Sequence, residues 1–117
     1  MSLVDKPILV YATFPSLEVA EAIGGEMVER RLAACVNILH GMVSIYMWKG
    51  ARVRDSEVAM VLKTRAGLAD QVLAEVARLH PYDNPALLVL EPSGGAQAFL
   101  DWIMAETGGG GDASIPA

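Results

Sequence analysis

The stretch AACVNILHGMVSIYMWKGARVRDSEVAMVLKTR, residues 33–65, decides the fold. The helical period is absent here, and seven of the apolar residues are β-branched, which predicts strands: Val36, Ile38, Val43, Ile45, Val53, Val58 and Val61. Lys49-Gly50 separates two strand-like runs and is typical of a hairpin turn. In the second run, from Glu57 to Thr64, apolar and polar positions alternate in part. The stretch therefore predicts two long antiparallel strands joined by a tight turn.

The first of these strands, Ala33–Trp48, is long for a chain of 117 residues. Sixteen residues would span roughly 50 Å at about 3.3 Å per residue, whereas a domain of this size has a radius of gyration of roughly 13 Å. Gly41 predicts a bend or bulge that shortens the span. Even so, the hairpin should project past its own helices and expose apolar side chains: Met42, Ile45, Tyr46, Met47 and Trp48. Such a surface is an aggregation hazard for a monomer, so we expect it to pair with neighbouring subunits in a closed ring.

On the amino-terminal side, PILVYATF (7–14) predicts a buried strand followed by a helix. Ser16 is a good N-cap for that helix, and Arg30 and Arg31 are expected in its last turn. Glu26 and Arg30 are spaced as an i,i+4 pair. The expected buried face consists of Ala20, Ile23, Met27 and Val28, and Gly24 and Gly25 are expected to allow close packing against the sheet.

On the carboxyl-terminal side, a second helix is predicted over Leu68–Leu79, with Leu68, Val72, Val76 and Leu79 on one face. PALLVLEP (85–92) predicts the last strand. AQAFLDWIMAE (96–106) predicts a third helix that directs four side chains inward: Phe99, Leu100, Trp102 and Ile103.

The predicted order is β-α-β-β-α-β with a terminal helix. Right-handed crossovers and a central hairpin give an α+β, ferredoxin-like fold: a four-stranded antiparallel sheet with two helices on one face. Residues 6–106 are expected to form a single domain, and the Gly-rich segment 107–117 a flexible tail.

Charge and composition argue against some classes of function and indicate a cellular compartment. A net charge of -5 and a pI near 4.9 argue against nucleic-acid binding. Five basic residues nevertheless fall in one segment, which is either a solvated strand face or a surface for a small anionic ligand: Lys49, Arg52, Arg54, Lys63 and Arg65. No apolar run approaches a membrane span, and no signal-peptide pattern is visible. The single cysteine fits a reducing compartment, so we expect a cytoplasmic protein.

The segments RLAACVNILHGMVSIYMWKG, DSEVAMVLKT and LHPYDNPALLVL resemble those of the CutA-type divalent-cation tolerance proteins, over about residues 8–106. The resemblance implies a ferredoxin-like subunit in a cytoplasmic homotrimer, similar to trimeric PII-type proteins. It also implies a role in tolerance of copper and other divalent metals, which is a cellular response and brings no substrate with it. Copper ligation in some members is attributed to a first-strand cysteine and two adjacent histidines; here those positions hold Ala12 and Leu79-His80.

His80 and Cys35 are the candidate metal ligands. Imidazole suits copper and zinc, and thiolate is a soft ligand. The structural alternatives are that His80 ends the second helix before Pro81 and that Cys35 is a small buried hydrophobe. One Cys and one His do not complete a metal site, so further ligands would have to come from other strands or subunits. His40, before Gly41, is interpreted as a loop or bulge residue.

Glu57 and Lys63 place charges among apolar residues on a predicted central strand. Two interpretations are possible, because burying an unpaired charge is costly. In the first, each residue lies near a strand end, where its charge reaches solvent or an ion pair. In the second, the two residues line a pocket between subunits. The resemblance favours the pocket, a ligand-binding cleft lined by Tyr46, Trp48, Glu57, Lys63 and Tyr82. No nucleophile elbow or phosphate loop occurs.

We therefore expect a non-enzymatic homotrimer that binds a divalent metal such as copper, or a small ligand, between subunits. The alternatives are a PII-like regulator that senses a small anion and signals to a partner protein, and an enzyme that uses His80 and Glu57 as an acid/base pair.

Overall fold

The structure, a computed structural model, describes residues 4–108. Its strands are β1 (Pro7–Phe14), β2 (Cys35–Trp48), β3 (Ala51–Arg65) and β4 (Leu87–Leu90). Its helices are α1 (Leu17–Glu29), α2 (Ala69–Leu79, after a short 3-10 turn) and α3 (Gln97–Glu106). The strands form one antiparallel sheet in the order β2-β3-β1-β4. This arrangement confirms the ferredoxin-like α+β prediction.

No helix in residues 4–108 is both long and apolar enough to cross a membrane.

The core lies between one face of the sheet and the helices α1 and α2. Alternate residues of β1 and β3 point into it because successive side chains of a strand face opposite sides. These residues are at most 5% exposed: Ile8, Val10, Ala12, Phe14, Val58, Met60 and Leu62. The helices contribute Ala20, Ile23, Met27, Val72 and Val76. The predicted helix faces are confirmed at these positions, whereas Val28 and Leu79 are partly exposed.

Gly24 allows α1 to pack closely on the sheet. A Cβ at this position would lie 2.7 Å from Met60 Sδ and 3.0 Å from Val36 Cγ2. Real Cβ atoms do not approach other atoms as closely as 2.7 Å, so a larger residue would force the Met60 side chain or the helix itself to shift. The neighbouring Gly25 has open space around its Cα, and the predicted reason for it is wrong.

The helix α1 ends two residues earlier than predicted. The Ser16 hydroxyl accepts a hydrogen bond from Val19 N–H and caps the start, as expected. At the other end Arg31 has φ of 58°, and the N–H groups of Arg31 and Leu32 donate to carbonyls of the last turn. This Schellman arrangement ends the helix at Glu29. Arg30 and Arg31 therefore follow the helix instead of lying in its last turn.

The long hairpin has the predicted turn and bulge. Lys49 and Gly50 both have positive φ, as in a type I′ turn. The register of β2 against β3 shifts between Leu39 and Met42, around Gly41 with φ of 89°. Beyond this bulge, residues 42–57 form an extension that we call the hairpin arm, and the subunit measures 49 × 27 × 25 Å. The predicted projection is confirmed, because Ile45, Tyr46, Met47 and Trp48 are exposed, although Met42 is only partly exposed.

The helix α3 packs on the sheet face opposite α1 and α2, which we call the open face. There Arg65 donates to the carbonyl of Met104 and to the hydroxyl of Thr107. Ile103 is buried, but Phe99 and Trp102 are about 40% exposed, so the prediction that both point inward is wrong.

The first residue of the predicted flexible tail is packed against the domain. Thr107, assigned to the flexible tail, is fully buried, and its hydroxyl donates to Ile103 O. The rest of the predicted tail, residues 109–117, lies outside the described residues. The last strand is shorter than PALLVLEP, because pairing with β1 is limited to Leu87–Leu90.

Candidate functional site

His80 is 7% exposed and forms two hydrogen bonds through its ring. It follows the last residue of α2, with extended backbone angles imposed by the following proline. The Tyr82 N–H donates to His80 Nδ1 at 3.1 Å, and His80 Nε2 lies 2.7 Å from Thr13 O. The imidazole also stacks on the Phe14 ring, with centroids 4.8 Å apart.

These contacts define the tautomer of His80. A backbone N–H can only donate, so Nδ1 must present its lone pair to Tyr82. A carbonyl can only accept, so Nε2 must carry the proton that it donates to Thr13. Both ring nitrogens thus form hydrogen bonds in the tautomer that carries its proton on Nε2. A metal ion could bind only by displacing the Tyr82 N–H from Nδ1 or the proton from Nε2. This arrangement matches the structural interpretation of His80.

Cys35, the other candidate ligand, lies far from His80 within one subunit. Cys35 pairs with Lys63, and Lys63 pairs with Leu9 on β1. The carbonyl that His80 contacts belongs to Thr13, four residues further along β1, which is roughly 13 Å away along the strand alone. One metal ion cannot contact both side chains of the same subunit.

The other positions named for copper ligation give no donor. Ala12 is fully buried in the core, and Leu79 is partly exposed at the end of α2. His40 is exposed beside the bulge. Within residues 4–108 no three His, Cys, Asp or Glu side chains lie close enough to hold a metal ion together.

Two tyrosines and two carboxylates meet on the open face at the base of the hairpin arm. The Tyr46 hydroxyl donates to Asp55 Oδ2, and the Tyr82 hydroxyl donates to Glu57 Oε2 at 3.1 Å. We call these four residues the phenol–carboxylate cluster. It brings together three of the five residues predicted for the ligand-binding cleft.

The carboxylates also change the acidity of the phenols. The hydrogen bond to Asp55 raises the pKa of Tyr46 to about 12, because loss of the phenolic proton would put two negative charges side by side. Burial and then the hydrogen bond to Glu57 raise the pKa of Tyr82. Both phenols therefore remain protonated donors at neutral pH, and the negative charge of the cluster resides on the two carboxylates.

The other two predicted cleft residues lie elsewhere in the subunit. Lys63 is on the same face as Glu57 but six residues further along β3, roughly 20 Å away. Its ammonium lies 5.2 Å from the centroid of the Phe99 ring on α3. Trp48 is 61% exposed at the tip of the arm, beside Lys49.

Sequence reasoning missed Asp55, although the turn contained the signal for it. The two-residue loop at Lys49-Gly50 fixes the register, so that Ser44 pairs with Asp55 and Tyr46 pairs with Val53. Tyr46 and Asp55 are thus diagonal neighbours on one face, within reach of an aromatic side chain.

The predicted acid/base pair of His80 and Glu57 is not assembled as a catalytic pair. Tyr82 lies between them, with its N–H on His80 Nδ1 and its hydroxyl on Glu57. His80 therefore has no free nitrogen with which to exchange a proton with a substrate.

Comparison with known proteins gives consistent matches over nearly the whole described chain. A family model described as CutA1 divalent ion tolerance protein matches residues 8–106. The divalent-cation tolerance protein CutA of Thermus thermophilus is 42% identical over 100 residues, covering 86% of this chain and 97% of that protein.

Solved structures agree. The crystal structure of the divalent ion tolerance protein CutA1 from Ehrlichia chaffeensis matches with a TM-score of 0.85 at 30% identity, covering 90% of this chain and 98% of that one. A structure of the periplasmic divalent cation tolerance protein CutA from Archaeoglobus fulgidus matches with a TM-score of 0.83 at 38% identity, covering 86% and 98% of the two chains. The chain therefore belongs to the CutA1 divalent ion tolerance family.

Proposed function

We propose that this protein acts in divalent metal ion tolerance as a cytoplasmic homotrimer, without enzymatic activity, and binds a metal ion or small ligand in clefts between its subunits. Membership of the CutA1 family supports the role in metal tolerance. The exposed hairpin arm is the observation that supports the proposed homotrimer. The family match does not favour the alternative of a PII-like regulator that senses an anion.

The arm is too apolar and too exposed for a stable monomer. Ile45, Met47 and Trp48 are each more than half exposed, and they lie on an edge strand with a free row of backbone hydrogen-bonding groups. The opposite edge strand, β4, exposes Leu88 and Leu90 in the same way. Edges and apolar patches of this kind are normally covered by another chain. The number three comes from the resemblance to CutA-type trimers.

The phenol–carboxylate cluster is the best candidate for the cleft lining. Its carboxylate and phenolic oxygens are hard donors, which suit divalent cations better than they suit copper(I). Since one subunit offers only two carboxylates here, a cation would need donors from a neighbouring subunit or water. The pair His80 and Cys35 does not fit a copper ion within one subunit, for the reasons of distance and hydrogen bonding given above.

Light scattering after size-exclusion chromatography tests the assembly. At micromolar concentration we expect three times the subunit mass of 12.5 kDa. The double variant Ile45→Asp, Met47→Asp should run as a folded monomer, because assembly would then have to bury two carboxylates in the contact between subunits. The control Val28→Asp alters an exposed apolar side chain on α1 and should keep the wild-type mass. A wild-type monomer would refute the proposed assembly.

Isothermal titration with Cu²⁺ and Zn²⁺ tests the cleft. We expect at best micromolar affinity, about -8 kcal/mol, and a loss of about tenfold or more in Glu57→Gln. The matched variant Cys35→Ser should titrate like the wild type. The reverse pattern, with binding lost in Cys35→Ser and unchanged in Glu57→Gln, would move the metal away from the phenol–carboxylate cluster.

The cytoplasmic location rests on the single cysteine and the expected reducing compartment. The relative from A. fulgidus is described as periplasmic. Fractionation of the source cells, followed by immunoblotting, distinguishes the two locations directly.

A further inference from the structure

The hairpin arm separates its charges by sign onto its two faces. In the run Arg52-Val53-Arg54-Asp55-Ser56-Glu57, side chains alternate across the strand. Asp55 and Glu57 lie on the open face, where their phenol partners are. Arg52 and Arg54 lie on the other face, opposite Met47 and Ile45 of β2.

Within residues 4–108, none of these four charges has a salt-bridge partner. In residues 4–108, neither Arg52 nor Arg54 has a carboxylate within 4.0 Å, and neither Asp55 nor Glu57 has a basic group within that distance. The remaining arginines of the chain all have a carboxylate partner: Arg30, Arg31, Arg65 and Arg78. Arg52 and Arg54 are therefore the arginines of the described chain that have no carboxylate partner.

The two charged pairs also have matching spacing. Arg52 and Arg54 are two residues apart on an extended strand, and so are Asp55 and Glu57. Each pair therefore presents its charges roughly 7 Å apart. Two guanidinium groups at that spacing can each meet one of two carboxylates at the same spacing, and a guanidinium–carboxylate contact is among the stronger hydrogen-bonded pairs.

We propose that Arg52 and Arg54 of one subunit dock on the carboxylates of Asp55 and Glu57 of the next subunit. Because the two pairs lie on opposite faces of one ribbon, a face-to-face two-fold contact would place like charges together. The charges are satisfied only by a head-to-tail contact, which closes into a ring when the rotation allows it. Aliphatic side chains around the arginines (Val43, Ile45, Met47) and the tyrosines around the carboxylates would shield the pairs from water.

This inference rests on the proposed assembly and deepens it. The neighbour completes the phenol–carboxylate cluster with two cations, so a divalent metal ion must compete with guanidinium groups for the same oxygens. The contact also fixes the order of the subunits, since charge pairs set the register and exclude wrong pairings.

Charge reversal tests the contact. We make Arg52→Glu, Arg54→Glu as one double variant and Asp55→Arg, Glu57→Arg as another. Each should raise the dissociation constant of the oligomer by about 100-fold or more, because like charges then face each other. The four-fold variant, with all charges exchanged, should recover to within about tenfold of the wild type. Sedimentation equilibrium measures the constants, and circular dichroism verifies that the subunits are folded.

Mixing the two double variants gives a second readout. Every contact between unlike variants has opposite charges, whereas every contact between like variants is repulsive. A ring of three cannot alternate two kinds of subunit, so we expect the mixture to associate without forming a stable closed trimer. The control Glu18→Lys, Glu21→Lys alters two exposed acids on α1 and should leave the wild-type assembly unchanged.

The outcomes separate this inference from the proposed function. If the wild type is a trimer and both reversed variants remain trimers of wild-type affinity, the docking is wrong although the trimer stands. If the four-fold variant is as weak as the doubles, the arginines and carboxylates do not face each other. A wild-type monomer would remove both proposals.

Discussion

The two ends of the sheet differ in how they are stabilised. At one end, under α1 and α2, the side chains of β1 and β3 such as Val10, Phe14 and Leu62 have no exposed surface. At the other end, in the hairpin arm, β3 continues beyond β1 and pairs only with β2, and there Ile45 is 56% exposed and Met47 65% exposed. Both ends have antiparallel backbone pairing, but no helix within residues 4–108 covers the arm. The first end contributes stability within one subunit, whereas the apolar side chains of the arm would be covered only in the proposed assembly.

The largest expected effect comes from Phe14→Ala in the covered end. Removing this fully buried ring should lower the free energy of unfolding by about 3–5 kcal/mol. The matched variant Trp48→Ala removes a larger ring from the arm and should change the stability of the isolated subunit by less than about 0.5 kcal/mol. Urea unfolding at several protein concentrations separates the two, because stability depends on protein concentration only where unfolding is coupled to dissociation of the subunits. Equal effects at all concentrations would contradict the comparison.

His80→Ala should have the next largest effect. It leaves the Thr13 carbonyl and the Tyr82 N–H without their partner and removes the stacking on Phe14, at a cost of about 2–4 kcal/mol. Metal titration of the folded variant should match the wild type. Loss of metal binding with stability unchanged would show that His80 is a ligand and not a structural residue.

Removing the two arginine charges of the arm should strengthen metal binding, by less free energy than the two variants above lose in stability. In Arg52→Gln, Arg54→Gln the carboxylates of Asp55 and Glu57 lose the competing guanidinium groups. We expect metal affinity to rise by roughly threefold to tenfold, about 1 kcal/mol, while the oligomer dissociates more readily. Isothermal titration with Zn²⁺ above the dissociation constant of the oligomer measures the change. An unchanged or weaker affinity would show that metal and arginine do not share a site.

The smallest effect concerns an ion-pair network between α1 and α2. Glu75 accepts hydrogen bonds from Arg30 and Arg78, and these bonds lower its pKa to about 2. Because the pKa is depressed in the folded state, the contribution is fully present above the ordinary value near 4.5 and is lost as pH falls towards 2. Glu75→Gln should lower the melting temperature by a degree or two at pH 7 and flatten the acid limb below pH 4.5. Thermal melts from pH 7 down to acidic pH measure both effects. If the melting temperature of Glu75→Gln falls with pH as steeply as that of the wild type, the network does not contribute to stability.

Much of the fold followed from local patterns in the sequence. The alternation in β3, the positive-φ turn at Lys49-Gly50 and the bulge at Gly41 are each encoded within a few residues, and all three were predicted. The projection of the arm followed from strand length alone. Two predictions were wrong because they depend on contacts distant in sequence. One is the end of α1, where Arg31 adopts a left-handed conformation without being glycine. The other is the packing of the short terminal helix, which leaves Phe99 exposed.

The candidate site was less predictable for a related reason. The partner that engages His80 Nε2 is 67 residues away along the chain, and the partner of Tyr82 is 25 residues away. A sequence shows that His80 ends a helix, but whether its nitrogens remain free depends on which carbonyl the fold brings to it. Asp55 was within reach of prediction, since the turn fixed its register with Tyr46.

Gly41 has a consequence for the size of the proposed assembly. A ribbon with opposite charges on its two faces can add copies of itself without limit, and only the angle between successive copies decides whether the chain of subunits returns to its start. That angle depends on the bend at the bulge, where φ of 89° suits glycine. A residue that straightens the bulge would leave every contact possible and yet prevent closure, so that the product becomes an open filament.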